Sequence, residues 1–188
     1  GGRHDRCVRP GHVRRQRRRP AQRRAARVEI DERPFAVRVF DRSGREIAHL
    51  LDFAFAPDGA GRVALRAAPG ERWFGLGGKT GALDRRGRRF ALRNRDHPVG
   101  ERVDPLYHSI PFLMRVAINE GEAARADGYL LDGCAPSHFD VAAQERLRVV
   151  ATAQAGGLDV TVFPGPAPGD VLRRYTARIG RITRPPLW

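Results

Sequence analysis

The run Gly75-Leu76-Gly77-Gly78-Lys79-Thr80 is the first stretch whose residue types could carry chemistry. Glycines followed by a lysine and a hydroxyl residue can cradle a phosphate: bare backbone N–H groups approach its oxygens and the ammonium neutralises it. Two requirements fail. A phosphate loop needs a glycine five residues before Gly78, where Trp73 stands. It also needs a helix at once, and the chain instead runs Gly81-Ala82-Leu83-Asp84-Arg85-Arg86-Gly87, a turn-like stretch with two glycines. The histidines offer no better centre. His97 and His108 share a loop with Asp96 and Asp104, and His138 lies two residues from Asp140, yet none has the spacing of a zinc site. Ser109 and Ser137 have neither a nucleophile elbow nor an evident base. A carboxylate pair would suit acid–base attack on a glycosidic bond. Asp96, Asp104, Asp132 and Asp140 are the right type, but nothing local pairs any two of them, and Asp104-Pro105 and Asp132-Gly133 read equally well as turns. No metal or cofactor is expected.

The elements that must position these residues are mostly strands. Phe35 to Phe40 alternates at period two, Asp41-Arg42-Ser43-Gly44 turns the chain, and Glu46 to Phe55 returns as the second arm of a hairpin. Further strands are predicted over Arg62–Ala67, Arg88–Arg93, Ile110–Asn119, Gly128–Asp132, His138–Val141, Arg146–Ala153 and Leu158–Phe163. In the last, Leu158, Val160 and Val162 oppose Asp159, Thr161 and Phe163, and Gly156-Gly157 before it reads as a two-residue hairpin turn. The period then changes. Val171, Leu172, Tyr175 and Ile179 fall at helical spacing, with Asp170 in the first turn and Gly180 just past the end. Short strands at regular spacing followed by one helix predict an all-β antiparallel sandwich with a C-terminal helix. Within it, Glu71 to Phe112 carries a long polar loop of the kind that is usually functional.

With 188 residues, 41% of them hydrophobic, one domain with a real core is expected. No apolar run approaches a membrane span, no secretory signal is evident, and a cytoplasmic location is expected. Two cysteines exclude a disulfide framework, and Cys134 reads as a small buried apolar residue. The net charge of +14 is uneven: residues 1–27 hold eleven arginines against Asp5 and so contribute +10. That segment is too poor in apolar residues to fold and is read as a disordered tail, with order beginning near Val28. An arm binding nucleic acid or a membrane is the functional alternative for it, disfavoured because arginine outnumbers lysine 34 to 1 and points to compositional bias.

Taken together, these segments carry a resemblance. Phe74 to Gly81 resembles the FGLGEKTG segment of family-31 glycoside hydrolases, the α-glucosidase and α-xylosidase family. Asn94-Arg95-Asp96 resembles its N-x-D loop, and Asp104 to Phe112 its DPLYxSIPF segment. Gly128 to Asp132, Leu158 to Gly165, the Val171–Gly180 helix and Pro185-Pro186-Leu187-Trp188 are similar to its later motifs, in family order across residues 28–188.

The resemblance implies a galactose-mutarotase-like N-terminal sandwich over residues 28–183. Residues 184–188 would open a linker into a (β/α)8 barrel that carries the catalytic aspartates, so no catalytic residue is expected here and the chain alone should be inactive. It further implies that Asp96 hydrogen-bonds sugar hydroxyls of an α-linked glucoside or oligosaccharide, with Arg95 bracing it and Tyr107 shaping the loop base as weaker candidates. Trp73 and Phe74 are expected in the core rather than as sugar platforms. The sequence departs from the family pattern at Gly78, which replaces an acid, at Gly133, where asparagine is common, and in a short loop from His97 to Val103. A free-standing carbohydrate-binding module is the alternative reading.

Overall fold

The computed structural model describes residues 26–96, 104–118 and 123–183. The sequence readings for the arginine-rich segment before Ala26 and for residues 184–188 lie outside the described residues. The described elements are strands β1 (Ala26–Glu32), β2 (Phe35–Asp41), β3 (Glu46–Phe55), β4 (Gly61–Arg66), β5 (Arg72–Gly77), β6 (Arg88–Leu92), β7 (Ser109–Ala117), β8 (Arg125–Leu131), β9 (Ser137–Val141), β10 (Arg148–Ala153) and β11 (Val160–Pro164), then helix α1 (Pro168–Ile179). They form two antiparallel sheets. One runs β1-β2-β3-β4-β10-β9-β6 and the other β11-β8-β7-β5.

Alternation explains the main core. The inward residues of the larger sheet, among them Leu50, Val63, Leu65, Phe90, Phe139 and Val149, meet Trp73, Leu113, Tyr129 and Leu131 of the smaller one. The smaller sheet is also covered on its outer face. Phe112, Val116, Ala126, Leu130 and Phe163 pack there with Val171 of α1, and Tyr175 stacks on Phe112 at a ring-centroid distance of 4.1 Å. This double burial is why β8 is buried at every position after Arg125 rather than alternating. The helix follows its signals: the Ala167 N–H donates to Asp170 Oδ2 at 3.2 Å, and Gly180 at φ 98° returns its N–H to the Thr176 carbonyl at 3.0 Å.

Three expectations need correction, and one strand goes beyond those predicted. Ala26–Glu32 is a strand, paired along its length with β2 from Ala26↔Asp41 to Glu32↔Phe35, so described order starts before Val28. Arg72–Gly77 is also a strand, paired with β7, although its glycines hide any period. Gly156-Gly157 does not close a hairpin. β10 sits between β4 and β9, whereas β11 is the edge of the other sheet, so these glycines carry the chain between sheets, and the Gly157 N–H donates to the Gly59 carbonyl at 2.9 Å. Cys134 is exposed in the turn after β8 instead of buried, because the residues between β8 and β9 connect strands of different sheets.

Candidate functional site

The glycine cluster shapes the approach to the loop. Gly75, Leu76 and Gly77 all have positive φ, at 127°, 67° and 79°, and the register against β7 shifts between Gly75 and Gly77. A Cβ at Gly75 would collide with the Phe112 carbonyl oxygen and one at Gly77 with that of His108. The glycines therefore serve backbone-to-backbone contact rather than phosphate binding. The Gly78 N–H continues the ladder to the His108 carbonyl at 2.9 Å. Trp73 is fully buried in the main core and Phe74 packs against the outer cluster, as expected.

Lys79 then turns inward. Its side chain is only 1% exposed, and its Nζ donates to the Ala91 carbonyl at 2.6 Å and to Asp104 Oδ1 at 2.7 Å. The Ala91 N–H donates to the other oxygen, Asp104 Oδ2. β6 is an edge strand, paired only with β9. The ion pair thus takes both backbone groups of Ala91 that point away from β9, standing in for a neighbouring strand.

Two more hydrogen bonds close the loop neck. The Ser109 N–H donates to Asn94 Oδ1 at 2.9 Å, and the Arg95 N–H donates to the Leu106 carbonyl at 3.4 Å. Asn94, Arg95 and Asp96 are thereby held beside residues 106–109, with Asp96 exposed at the start of the loop. Tyr107, 53% exposed, stands on the facing side of the neck. Arg95 meets the neck through its backbone; among the described residues it makes no ion pair with Asp96. The other sequence candidates are dispersed. Asp132 meets Arg178 of α1 at 3.4 Å, Asp140 Oδ1 caps the turn at Ala143 and Gln144, and among the described residues no group of His, Cys, Asp and Glu is arranged to hold a metal. His97 lies outside the described residues.

Sequence reasoning missed a buried ionic cluster between the sheets. Asp127, 1% exposed, accepts two hydrogen bonds from Arg45, at 2.9 and 3.1 Å, and one from Arg115 Nη2 at 2.9 Å. Arg115 also reaches Glu71 at 3.3 Å, and Arg45 reaches Asp41 at 3.2 Å. The Tyr129 hydroxyl donates to the Ile47 carbonyl at 2.5 Å. Burial opposes the Arg115 charge, but Tyr129, Glu71 and Asp127 outweigh it and hold its pKa above the ordinary arginine value. Burial pushes the Tyr129 phenol well up. At Asp41, hydrogen bonds from Ser43 and Arg45 overcome the cost of burial and lower the pKa. Parity held the missing signal: Arg115 shares the inward face of β7 with Leu113, and Asp127 that of β8 with Tyr129 and Leu131.

With this geometry in place, the chain can be set beside known proteins. Residues 15–140 match the family described as glycosyl hydrolase 31 N-terminal galactose mutarotase-like domain. Alpha-glucosidase 2 of Bacillus thermoamyloliquefaciens is 34% identical over 167 residues, covering 86% of this chain and 20% of that protein. An alpha-glucosidase of Saccharolobus solfataricus is 34% identical over 119 residues, 63% of this chain and 16% of that one. The chain therefore spans a fifth or less of the length of these curated relatives. Among solved structures, a Flavobacterium johnsoniae GH31 dextranase complexed with isomaltotriose superimposes with a TM-score of 0.66 at 25% identity, over 81% of this chain and 18% of that one. The cycloalternan-degrading enzyme from Trueperella pyogenes shares the fold, with a TM-score of 0.60 at 20% identity over 81% of this chain and 26% of that one.

Proposed function

This chain belongs to the glycosyl hydrolase 31 N-terminal galactose mutarotase-like domain family, and we propose that it acts as the non-catalytic sandwich of an α-glucosidase-like retaining hydrolase. The domain spans residues 26–183, and residues 184–188 lead toward a (β/α)8 barrel that supplies the catalytic carboxylates. The sandwich supplies the loop at Asp96, which contacts hydroxyls of an α-linked glucoside. The observation that carries this reading is the clamped neck. Asn94–Ser109 and Arg95–Leu106 fix the backbone on both sides of an exposed carboxylate. An ionised carboxylate accepts hydrogen bonds on two oxygens, which suits adjacent sugar hydroxyls. One such group is only part of a pocket, so affinity of this chain alone is weak.

Two measurements test it. Purified chain incubated with p-nitrophenyl α-glucoside gives no turnover above a blank; clear hydrolysis would overturn the non-catalytic assignment. In an NMR titration with isomaltose or maltose at high millimolar concentration, small amide shifts cluster at Asn94–Asp96 and Tyr107–Ser109 and vanish in Asp96→Ala. Shifts that persist unchanged in the variant would remove Asp96 from the site.

A further inference from the structure

We propose that the outer face of the larger sheet carries a second, non-catalytic sugar site, built around Asp52 and separate from Asp96. The site follows from a break in β3. Leu51 pairs with Ala64 and Ala54 with Arg62, so Asp52 and Phe53 together stand opposite Val63. Asp52 has a φ of 53°, a left-handed backbone that a non-glycine residue adopts at a cost. Plain alternation would send Asp52 inward after Leu50, which packs in the main core. The bulge turns it outward instead. There it pairs with Arg148, the outward neighbour of the core residue Val149. The strained backbone thus sets a carboxylate on an accessible face rather than in the core.

The pair borders a cleft of about 440 Å3. Clefts that take small ligands measure roughly 300–1,000 Å3. The walls are apolar. Phe35 and Leu147 line the cleft half-exposed, and Phe53 holds the Phe35 ring edge-on at a centroid distance of 5.0 Å. The polar groups are few and stand together. The Asp52 and Arg148 side chains are 35% and 37% exposed, so both reach solvent from one fixed pair. Side by side they offer an acceptor and a donor, the complement of two adjacent hydroxyls. His49 lines the same cleft, and its Nδ1 has no hydrogen-bond partner among the described residues. Charge argues against an anion. Arg66 also lines the cleft and Glu145 meets Arg148 at 3.2 Å, so two guanidinium groups are balanced by two carboxylates. Apolar walls beside a neutral, hydroxyl-matched pair fit a pyranose, whose C–H face is apolar and whose rim is hydroxyl. That the sugar is a glucoside rests on the function proposed above; that it is a neutral sugar does not.

The test titrates methyl α-glucoside into the full chain and follows the amides by NMR. Shifts are expected in two separate groups, one at Asn94–Asp96 and one at Ala36, His49, Asp52 and Arg148. Asp52→Gly suits the positive φ and removes the carboxylate, so the fold is kept while the site loses its acceptor. It should raise the dissociation constant read from the cleft amides by about tenfold or more, because hydrogen bonds to a charged group are lost. Phe35→Ala, which removes a half-exposed wall, should raise it severalfold. Asp96→Ala should leave the cleft shifts as they are. No cleft shift in the wild-type chain, or an unchanged constant in Asp52→Gly, would overturn the proposal. So would equal shifts from glycerol, which mark a cleft that does not select a sugar ring, or larger shifts from inorganic phosphate, which mark an anion site. If Asp52→Gly does not fold, Phe35→Ala decides it. Shifts confined to the cleft reject the reading of Asp96 and leave this site standing; shifts confined to Asn94–Asp96 do the reverse.

Discussion

At the scale of single residues, Asp127 is the most consequential side chain. It compensates two guanidinium groups, Arg45 and Arg115, between the sheets. Removing it leaves both charges without that partner in a buried setting. Asp127→Ala should therefore cost about 3–5 kcal/mol, read as a lower denaturation midpoint in urea. Tyr129 gives a prediction of pH dependence. Its folded pKa lies above its ordinary value of 10.0, so the folded state keeps a proton that the unfolded state releases. Its contribution is full below pH 10 and declines as pH rises from there toward the raised folded value. Thermal unfolding scanned upward from neutral pH should show this loss, and Tyr129→Phe should flatten it. Asp41 has the opposite sign. Its lowered pKa stabilises the fold above its ordinary value of 3.8 and the contribution is lost on further acidification. At this scale the sequence was least informative. A charged residue in an apolar strand can be placed on the inward face by parity, but its partner on another strand cannot, because Arg45 and Asp127 are 82 positions apart.

At the scale of elements, the seat of α1 is set by one missing side chain. A Cβ at Gly128 would lie 2.6 Å from Val171 Cγ1 and 2.8 Å from Phe112 Cε2. Gly128→Ala should push the helix off the sheet at a cost of about 1–3 kcal/mol, with loss of the Phe112–Tyr175 stack visible in aromatic NMR shifts. The helix itself was fully legible in the sequence, over Pro168–Ile179, because its period, first-turn acid and terminal glycine agree. β3 was equally clear, bounded by two turns at Glu46 and Phe55. β5 was not, since Gly75 and Gly77 leave no alternation to read, and their contacts with Phe112 and His108 become evident only once β7 lies alongside. β1 is hard to read in the sequence because it offers only two alternating aliphatic residues, Val28 and Ile30, which remain more than half exposed on this edge strand.

At the scale of the molecule, seven strands face four, and β1 is the outer edge of the larger sheet. At that edge Val28 and Ile30 stay exposed although their register mates Val39 and Val37 turn toward the core. Charge is segregated as well. Residues 1–27 contribute +10 of the net +14, so any retention of random DNA is carried by them. A version beginning at Ala26 should lose that retention in an electrophoretic shift at moderate salt; equal shifts from both would place the binding on the sandwich. Among the described residues no helix is long and apolar enough to cross a membrane.

The sequence by itself determined the all-β class, the C-terminal helix and the family, because these rest on local periodicity and on motifs that are contiguous in the chain. Only the tertiary structure decided what the chain's one lysine does. Gly78-Lys79-Thr80 has the local look of a phosphate site, but Ala91 and Asp104 are 12 and 25 residues away from Lys79. Pairing across such separations follows from how strands are ordered in a sheet, and strand order leaves no local trace in sequence.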